Sequence, residues 1–297
     1  MRVPQAIPYQ GSKRKLANQI IDFMPNRVER FIEPFAGSAA MSMAISYNKI
    51  SENIWINEIN KPLAELLELI INSPGYVSDV YEKLWNEQLD NPQDYYLKKR
   101  KEFNYSQDPI ILLYLLVRCV KNAVRYNEKG EFNQSPDKRR LGRNPVRMRK
   151  DLFKCSLILK DKTKVTSESY YDIIQDFTSN DLVYLDPPYM GTVGGSRRYI
   201  QVLDLNLFTE SLYQLNERKI PFILSFDGML GDKTYGNDLP VNLNLKKVLI
   251  EAGVSTQSTL NGKTNKTIES LYISKAAENL LYDSNIKVVN NQFSFIL

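Results

Sequence analysis

The chain has 297 residues, 43 % of them hydrophobic and 25 % charged, which are the proportions of a globular protein and not of a disordered or fibrous one. It contains no histidine and two cysteines, Cys119 and Cys155, which excludes histidine-based triads, histidine general bases and Cys/His zinc fingers. Net charge is +5, no apolar run is long enough to span a membrane, and MRVPQAIPYQ lacks the apolar core of a signal peptide; the expectation is a cytoplasmic protein with reduced thiols.

Residues 14–24 (RKLANQIIDFM) carry apolar side chains at helical spacing and stop before Pro25. Residues 29–35 (ERFIEPF) read as a strand running into a loop, AGSAAMSMAISY as a helix, and 53–57 (NIWIN) as a second strand. Pro62 opens another helix, as a proline in a first turn should. Residues 74–122 read as mainly helical, with amphipathic stretches near 93–103 and 109–122. AVRYNEKGEFNQ alternates on either side of an Asn127…Gly130 turn, which predicts a β-hairpin. A basic run follows, then a helix across 146–159. Strands are predicted at 163–168, 181–185, 221–226 and 268–273, with helices from Leu205 onward and near 243–252. This order predicts an α/β fold with a Rossmann-like sheet built from residues 1–73 and 151–297. A mainly helical insertion containing the hairpin interrupts it at 74–150.

Three strand ends carry chemistry. In FIEPFAGSAAM the strand ends in Phe35-Ala36-Gly37 and opens a helix, and Gly37 lets a ligand approach the backbone where a side chain would clash. The run lacks the further glycines of a dinucleotide fingerprint, and a plain strand–helix turn explains it equally well on its own. Glu58, in WINEIN just past the second strand, can accept hydrogen bonds from both hydroxyls of a ribose. The two together favour an adenosine-containing cofactor, either a dinucleotide or S-adenosylmethionine.

Asp186-Pro187-Pro188-Tyr189 follows the apolar strand DLVYL and decides more. A carboxylate at the carboxyl end of a central strand points into the ligand crevice, and two prolines rigidify the turn behind it. Asp186 and the Pro187 carbonyl can accept from an exocyclic amine, and Tyr189 can stack on the ring that bears it.

Between Lys138 and Lys150 stand seven Lys/Arg residues before any Asp or Glu, which suggests a polyanion partner.

The order YQGSK, FAGSA, NEIN, VRYNEKGEFNQSP and DPPY resembles the Dam-type N6-adenine DNA methyltransferases over most of the chain. The resemblance implies an S-adenosylmethionine pocket lined by Tyr9, Gly11, Lys13, Phe35, Gly37, Glu58 and Asp186. Asp186, Pro187, Pro188 and Tyr189 would be the catalytic turn. The substrate would be double-stranded DNA, met by Arg125, Asn127 and Asn133 of the hairpin and by Lys138, Arg139 and Arg140 of the basic run. Direct transfer to a flipped-out adenine needs no metal. The protein would act as a monomer or weak dimer, as the modification half of a restriction–modification system with a cognate endonuclease, or alone. Glu58 stands where the family often has Asp, and Ala39 where Gly is frequent, which is expected to be a minor change. Members that methylate GATC usually continue the hairpin with Pro-Phe-Gly; here SPDKRRLGRNP follows, so the target is left open.

Three other readings remain beside this one. Amino-group methylation of RNA or of cytosine is disfavoured by the basic insertion and by Asp at 186. A nicotinamide-linked dehydrogenase has no use for DPPY. A catalytically inactive DNA-binding module would not need that turn intact.

Overall fold

The structure is a computed structural model that describes residues 3–188, 203–230, 233–235, 239–254 and 266–282. Its first half alternates strands and helices: α1 (Ala17–Ile21), β1 (Arg30–Glu33), α2 (Ala40–Tyr47), β2 (Ile54–Asn57) and α3 (Lys61–Asn72). Then come α4 (Pro74–Glu87), α5 (Pro92–Ser106), α6 (Pro109–Arg118) and α7 (Pro145–Leu159). The second half returns to the sheet with β3 (Thr163–Thr166), α8 (Tyr170–Ile173), β4 (Asp181–Leu185), α9 (Leu205–Glu217), β5 (Phe222–Leu230), β6 (Lys233–Tyr235), β7 (Lys246–Val254) and β8 (Lys266–Ile273).

The strands lie in the order β3-β2-β1-β4-β5-β8-β7, with β6 paired to the far end of β5. β3, β2, β1, β4 and β5 are mutually parallel. β8 runs antiparallel to both β5 and β7. The order reverses between β1 and β4, so loops leaving their carboxyl ends diverge and open a crevice there.

Strand alternation builds two cores. Phe31, Ile54, Ile56, Leu182, Tyr184 and Ile223 face one side; Ile32, Trp55, Val183, Leu185, Phe222 and Leu224 face the other. The second face is covered by α8 and α9 through Tyr170, Ile173, Phe208 and Leu212. The first face carries α1, α2, α3 and α7, and its core runs without a break into Tyr81, Tyr96, Leu112 and Phe132 between 74 and 150.

Two predicted elements differ. The expected helix near 243–252 is strand β7, whose partner β8 lies alongside it from Lys246 to Val254. Val248 and Ile250 turn inward while Leu249, between them, is 56 % exposed; that period of two overrides a pattern that also fits a helix. The N-terminal helix is split into a 3-10 turn, Lys13–Lys15, and the short α1. The hairpin turn is present, but its ladder is a single bridge, Tyr126 to Phe132, and a second bridge joins Cys119 to Pro136.

Candidate active site

A cleft of about 490 Å³ opens at the carboxyl ends of β1, β2 and β4. Tyr9, Gly11, Lys13, Phe35, Gly37, Glu58 and Asp186 all line it, together with Pro187 and Pro188. Tyr189 lies outside the described residues.

The turn after β1 forms one wall. Gly37 has φ +51°, and a Cβ there would meet Tyr9 Cε1 at 3.1 Å, so the glycine permits both the conformation and the approach of the tyrosine ring. Ala39 follows with φ +53° and caps α2, holding a left-handed conformation that costs a non-glycine residue about 1–2 kcal/mol. Its departure from glycine is therefore not a minor one for the backbone. Ser12 and Ser38 share a hydrogen bond of 2.9 Å, tying the N-terminal segment to this turn.

Two acidic residues brace the same turn. Glu58 accepts from Gly37 N at 2.8 Å through Oε2 and from Asn60 N at 3.0 Å through Oε1, while burial pushes its carboxyl above the ordinary value. Glu33, not singled out in sequence, accepts from Ser42 N at 2.8 Å and also from Ser42 Oγ, at the amino end of α2. Burial raises Glu33 to about 7, against those two hydrogen bonds.

Asn57 knits the floor. Its side chain donates to Pro34 O and Glu168 O and accepts from Thr166 Oγ1 and Glu168 N, joining the ends of β1, β2 and β3. Phe35 sits 5.0 Å from the Tyr170 ring, and Glu168, Tyr170 and Tyr171 complete this side of the cleft. SESYY carries no local pattern that would mark these residues in the sequence.

At the opposite wall, Asp186 Oδ1 lies 2.9 Å from Lys13 Nζ, and the same ammonium lies 3.2 Å from Glu269 Oε2 on β8. Lys13 is 4 % exposed. Burial raises Asp186 to about 6, with Lys13 pulling it down and Glu269 pushing it up. The site thus offers a rigid carboxylate, a carbonyl-bearing proline turn and aromatic walls, a combination that suits an amine on a planar base.

Residues 9–248 match the family of D12 class N6 adenine-specific DNA methyltransferases. The chain belongs to that family. It is 27 % identical over 261 residues to modification methylase StsI from Streptococcus sanguinis, covering 81 % of this chain and 39 % of that protein. It is 24 % identical to type II methyltransferase M.FokI from Planomicrobium okeanokoites, covering 91 % of this chain and 43 % of that protein. A DNA adenine methylase from Serratia marcescens is 26 % identical, over 74 % of this chain and 82 % of its own length. The chain therefore spans about two fifths of the first two methylases and most of the third.

The residues expected to meet DNA are placed less uniformly. Asn127 builds its own turn: Oδ1 accepts from Lys129 N and Glu131 N, and Nδ2 donates to Glu131. Arg125 is half-buried, and its Nε has no hydrogen-bond partner among the described residues. Asn133 is exposed and its backbone N–H donates to Arg125 O. Lys138, Arg139 and Arg140 are exposed, but Arg139 and Arg140 both lean on Asp137. Further along, Arg143 pairs with Asp151, and Arg149 with Asp79 and Glu82. The one-signed run is thus partly neutralised by acids that approach it in space; Lys138, Arg147 and Lys150 form no ion pair among the described residues.

Proposed function

We propose that this chain transfers a methyl group from S-adenosylmethionine to the exocyclic N6 of an adenine flipped out of duplex DNA. The observation that carries the reading is the meeting of Asp186-Pro187-Pro188 with the Gly37 turn and Glu58 in one cleft. The cleft's volume falls in the range of small-molecule sites, and its donor set fits a cationic nucleoside: an aromatic ring at Tyr9 and at Phe35, and carboxylates at Glu58 and Asp186. Tyr9, Gly11, Phe35, Gly37 and Glu58 would hold it, with Lys13 and Asp186 at its reactive end. When bound, S-adenosylmethionine supplies an electrophilic methyl group.

The chain's own part is alignment and exclusion of water. Asp186 and the Pro187 carbonyl accept from the amine and turn its nitrogen lone pair toward the cofactor side of the cleft. Asp186 is ionised to do so. Tyr189 stacks on the base. Residues 74–150 would act as the target-recognition unit, and 1–73 with 151–297 as the catalytic unit. Val124, where the hairpin begins, lines the cleft, so a base presented by DNA held on this unit arrives beside Asp186. Arg125 and Asn133 would read or grip the duplex, and Lys138, Arg139 and Arg140 would meet phosphates, which set position and not sequence. In the cell the enzyme would work in the cytoplasm, beside a cognate endonuclease or alone, as a monomer or weak dimer.

The test is incubation with methyl-labelled S-adenosylmethionine and duplex DNA, RNA or neither, followed by digestion to nucleosides. Label in N6-methyladenine from DNA is the expected result. Label in cytosine, or in RNA alone, would overturn the reading.

A further inference from the structure

Among the described residues Lys13 has two carboxylate partners, and one of them lies outside the catalytic turn. Nζ is 2.9 Å from Asp186 Oδ1 and 3.2 Å from Glu269 Oε2. The lysine side chain is 4 % exposed, that of Asp186 19 % and that of Glu269 18 %, so a nearly dry ammonium is shared between two largely buried carboxylates. Three distant pieces of chain deliver them: the turn Lys13–Lys15, the end of β4 and the middle of antiparallel β8. Glu269 is steadied in turn by Ser225 Oγ at 3.2 Å, from β5, at the edge of a register shift between Ser225 and Gly228.

We infer that Glu269 is a positioning residue for methyl transfer, holding the Lys13 ammonium so that Asp186 can exchange it for the amine of the substrate. The inference rests on the reading of Asp186 proposed above.

Two donors meet here on one carboxylate. The lysine ammonium and the substrate amine both donate, and Asp186 Oδ1 is already taken by the lysine. If Asp186 were the ammonium's sole carboxylate partner, turning its carboxylate from the lysine toward the amine would strand a desolvated cation, which a buried site resists strongly. With Glu269 in place, Lys13 keeps one full counter-charge while its hold on Asp186 loosens. The antiparallel direction of β8 matters here, because it carries a side chain from the far strand back to the same end of the sheet as the β4 turn. Glu269 touches neither amine nor cofactor in this scheme; it acts through Lys13.

The experiment uses the full chain and the variants Glu269→Gln, Glu269→Asp, Lys13→Met and Glu269→Gln with Lys13→Met. Single-turnover methyl transfer, cofactor binding by calorimetry and thermal melting are measured for each. Glu269→Gln is expected to slow single turnover by about tenfold or more while the cofactor dissociation constant moves by less than about twofold. Glu269→Asp, which keeps the charge, recovers part of the rate. In the Lys13→Met background the added Glu269→Gln change costs nothing further, because there is no ammonium left to hold; additive losses would overturn the inference. The acid limb of the rate gives an independent readout that survives slow variants. Lys13, Glu33 and Glu269 are the charged groups acting on Asp186 among the described residues, and removing the Glu269 charge moves that limb to lower pH. An unmoved limb counts against the inference whatever the rates. A wild-type chain that methylates DNA alongside an indistinguishable Glu269→Gln variant would sink this inference alone. A wild-type chain that transfers no methyl group would sink the reading of Asp186 beneath it.

Discussion

The amide of Gly37 donates to Glu58 Oε2 at 2.8 Å, so the turn after β1 is pinned to the end of β2. The carboxylate proposed to hold the cofactor's ribose is thus also the brace of the turn that lets the cofactor approach. Its other oxygen is engaged by Asn60 N at 3.0 Å. Glu58→Gln keeps one acceptor and sets an amide NH₂ against the second buried N–H. An unsatisfied buried donor costs about 1–3 kcal/mol, so cofactor binding should weaken about tenfold or more and the melting temperature should fall with it. Calorimetric titration and thermal melting check both. Loss of binding with full stability would mean that the bracing bonds are dispensable.

Gly37→Ala tests the other partner. The new Cβ would sit 3.1 Å from Tyr9 Cε1 at a backbone φ of +51°. The conformation alone costs about 1–2 kcal/mol, and the tyrosine ring must give way as well. The expected outcome is a raised KM for the cofactor with an unchanged KM for DNA, read from steady-state kinetics with each substrate varied in turn.

Asp186 should set the acid limb of the reaction. Burial raises its carboxyl to about 6 although Lys13 lowers it. The carboxylate must be ionised to accept from an amine, so kcat/KM should fall as pH drops through about 6. The same shift carries an opposite sign for folding. A raised folded value means that the protonated form is the better tolerated one, and its contribution is lost as pH rises through about 6. Asp186→Asn is therefore expected to abolish methyl transfer while melting no lower than the wild type above that pH. Lower melting would show that the charge pair with Lys13 outweighs the burial.

What can be read from the sequence follows from locality. β1, β2 and β4 are short apolar runs that end in residues with turn chemistry, so Gly37, Glu58 and Asp186 stand out at strand ends. Glu33 and Glu269 do not. Glu269 occupies the polar position of an alternating strand, IESLYI, and its partner Lys13 lies near the other end of the chain. β7 reads as a helix in isolation because Leu245, Val248 and Leu249 suit one until β8 supplies hydrogen bonds along its length. The basic run reads as one-signed because Asp79 and Glu82, which face Arg149, come from α4, far upstream.

Those pairs predict unequal contributions to DNA binding. Lys138 and Arg147 form no ion pair among the described residues, whereas Arg139 and Arg140 share Asp137. Each phosphate left without its cation should lower the slope of log K against log salt by about 0.9. Lys138→Ala with Arg147→Ala should approach the effect of two such phosphates, and Arg139→Ala with Arg140→Ala should fall short of it. Asp137→Asn, which keeps an acceptor for Arg139 N, should raise affinity for every duplex alike. A change confined to one sequence would mean that the run reads bases.

Glu33 offers a test of the cleft that needs no substrate. Burial raises its carboxyl from 4.5 to about 7, although Ser42 N and Oγ both donate to Oε2. Below about 4.5 the group is protonated in both folded and unfolded chains, and its stabilising contribution is complete. As pH rises from there through about 7, the unfolded chain ionises first and that contribution is lost. Glu33→Gln keeps the shape and one carbonyl oxygen for both Ser42 donors, and it removes the charge. The variant should therefore gain on the wild type by up to about 3 kcal/mol as pH is raised from about 4.5 to above 7. Urea denaturation at the two extremes measures this directly. Because Glu33 and Asp186 repel each other, the same substitution should also draw the acid limb of methyl transfer to lower pH. An advantage that does not grow with pH would mean that the carboxylate of Glu33 is fully supported by the amino end of α2; it would then be ionised while Asp186 titrates, and the shift of the acid limb should be at its largest.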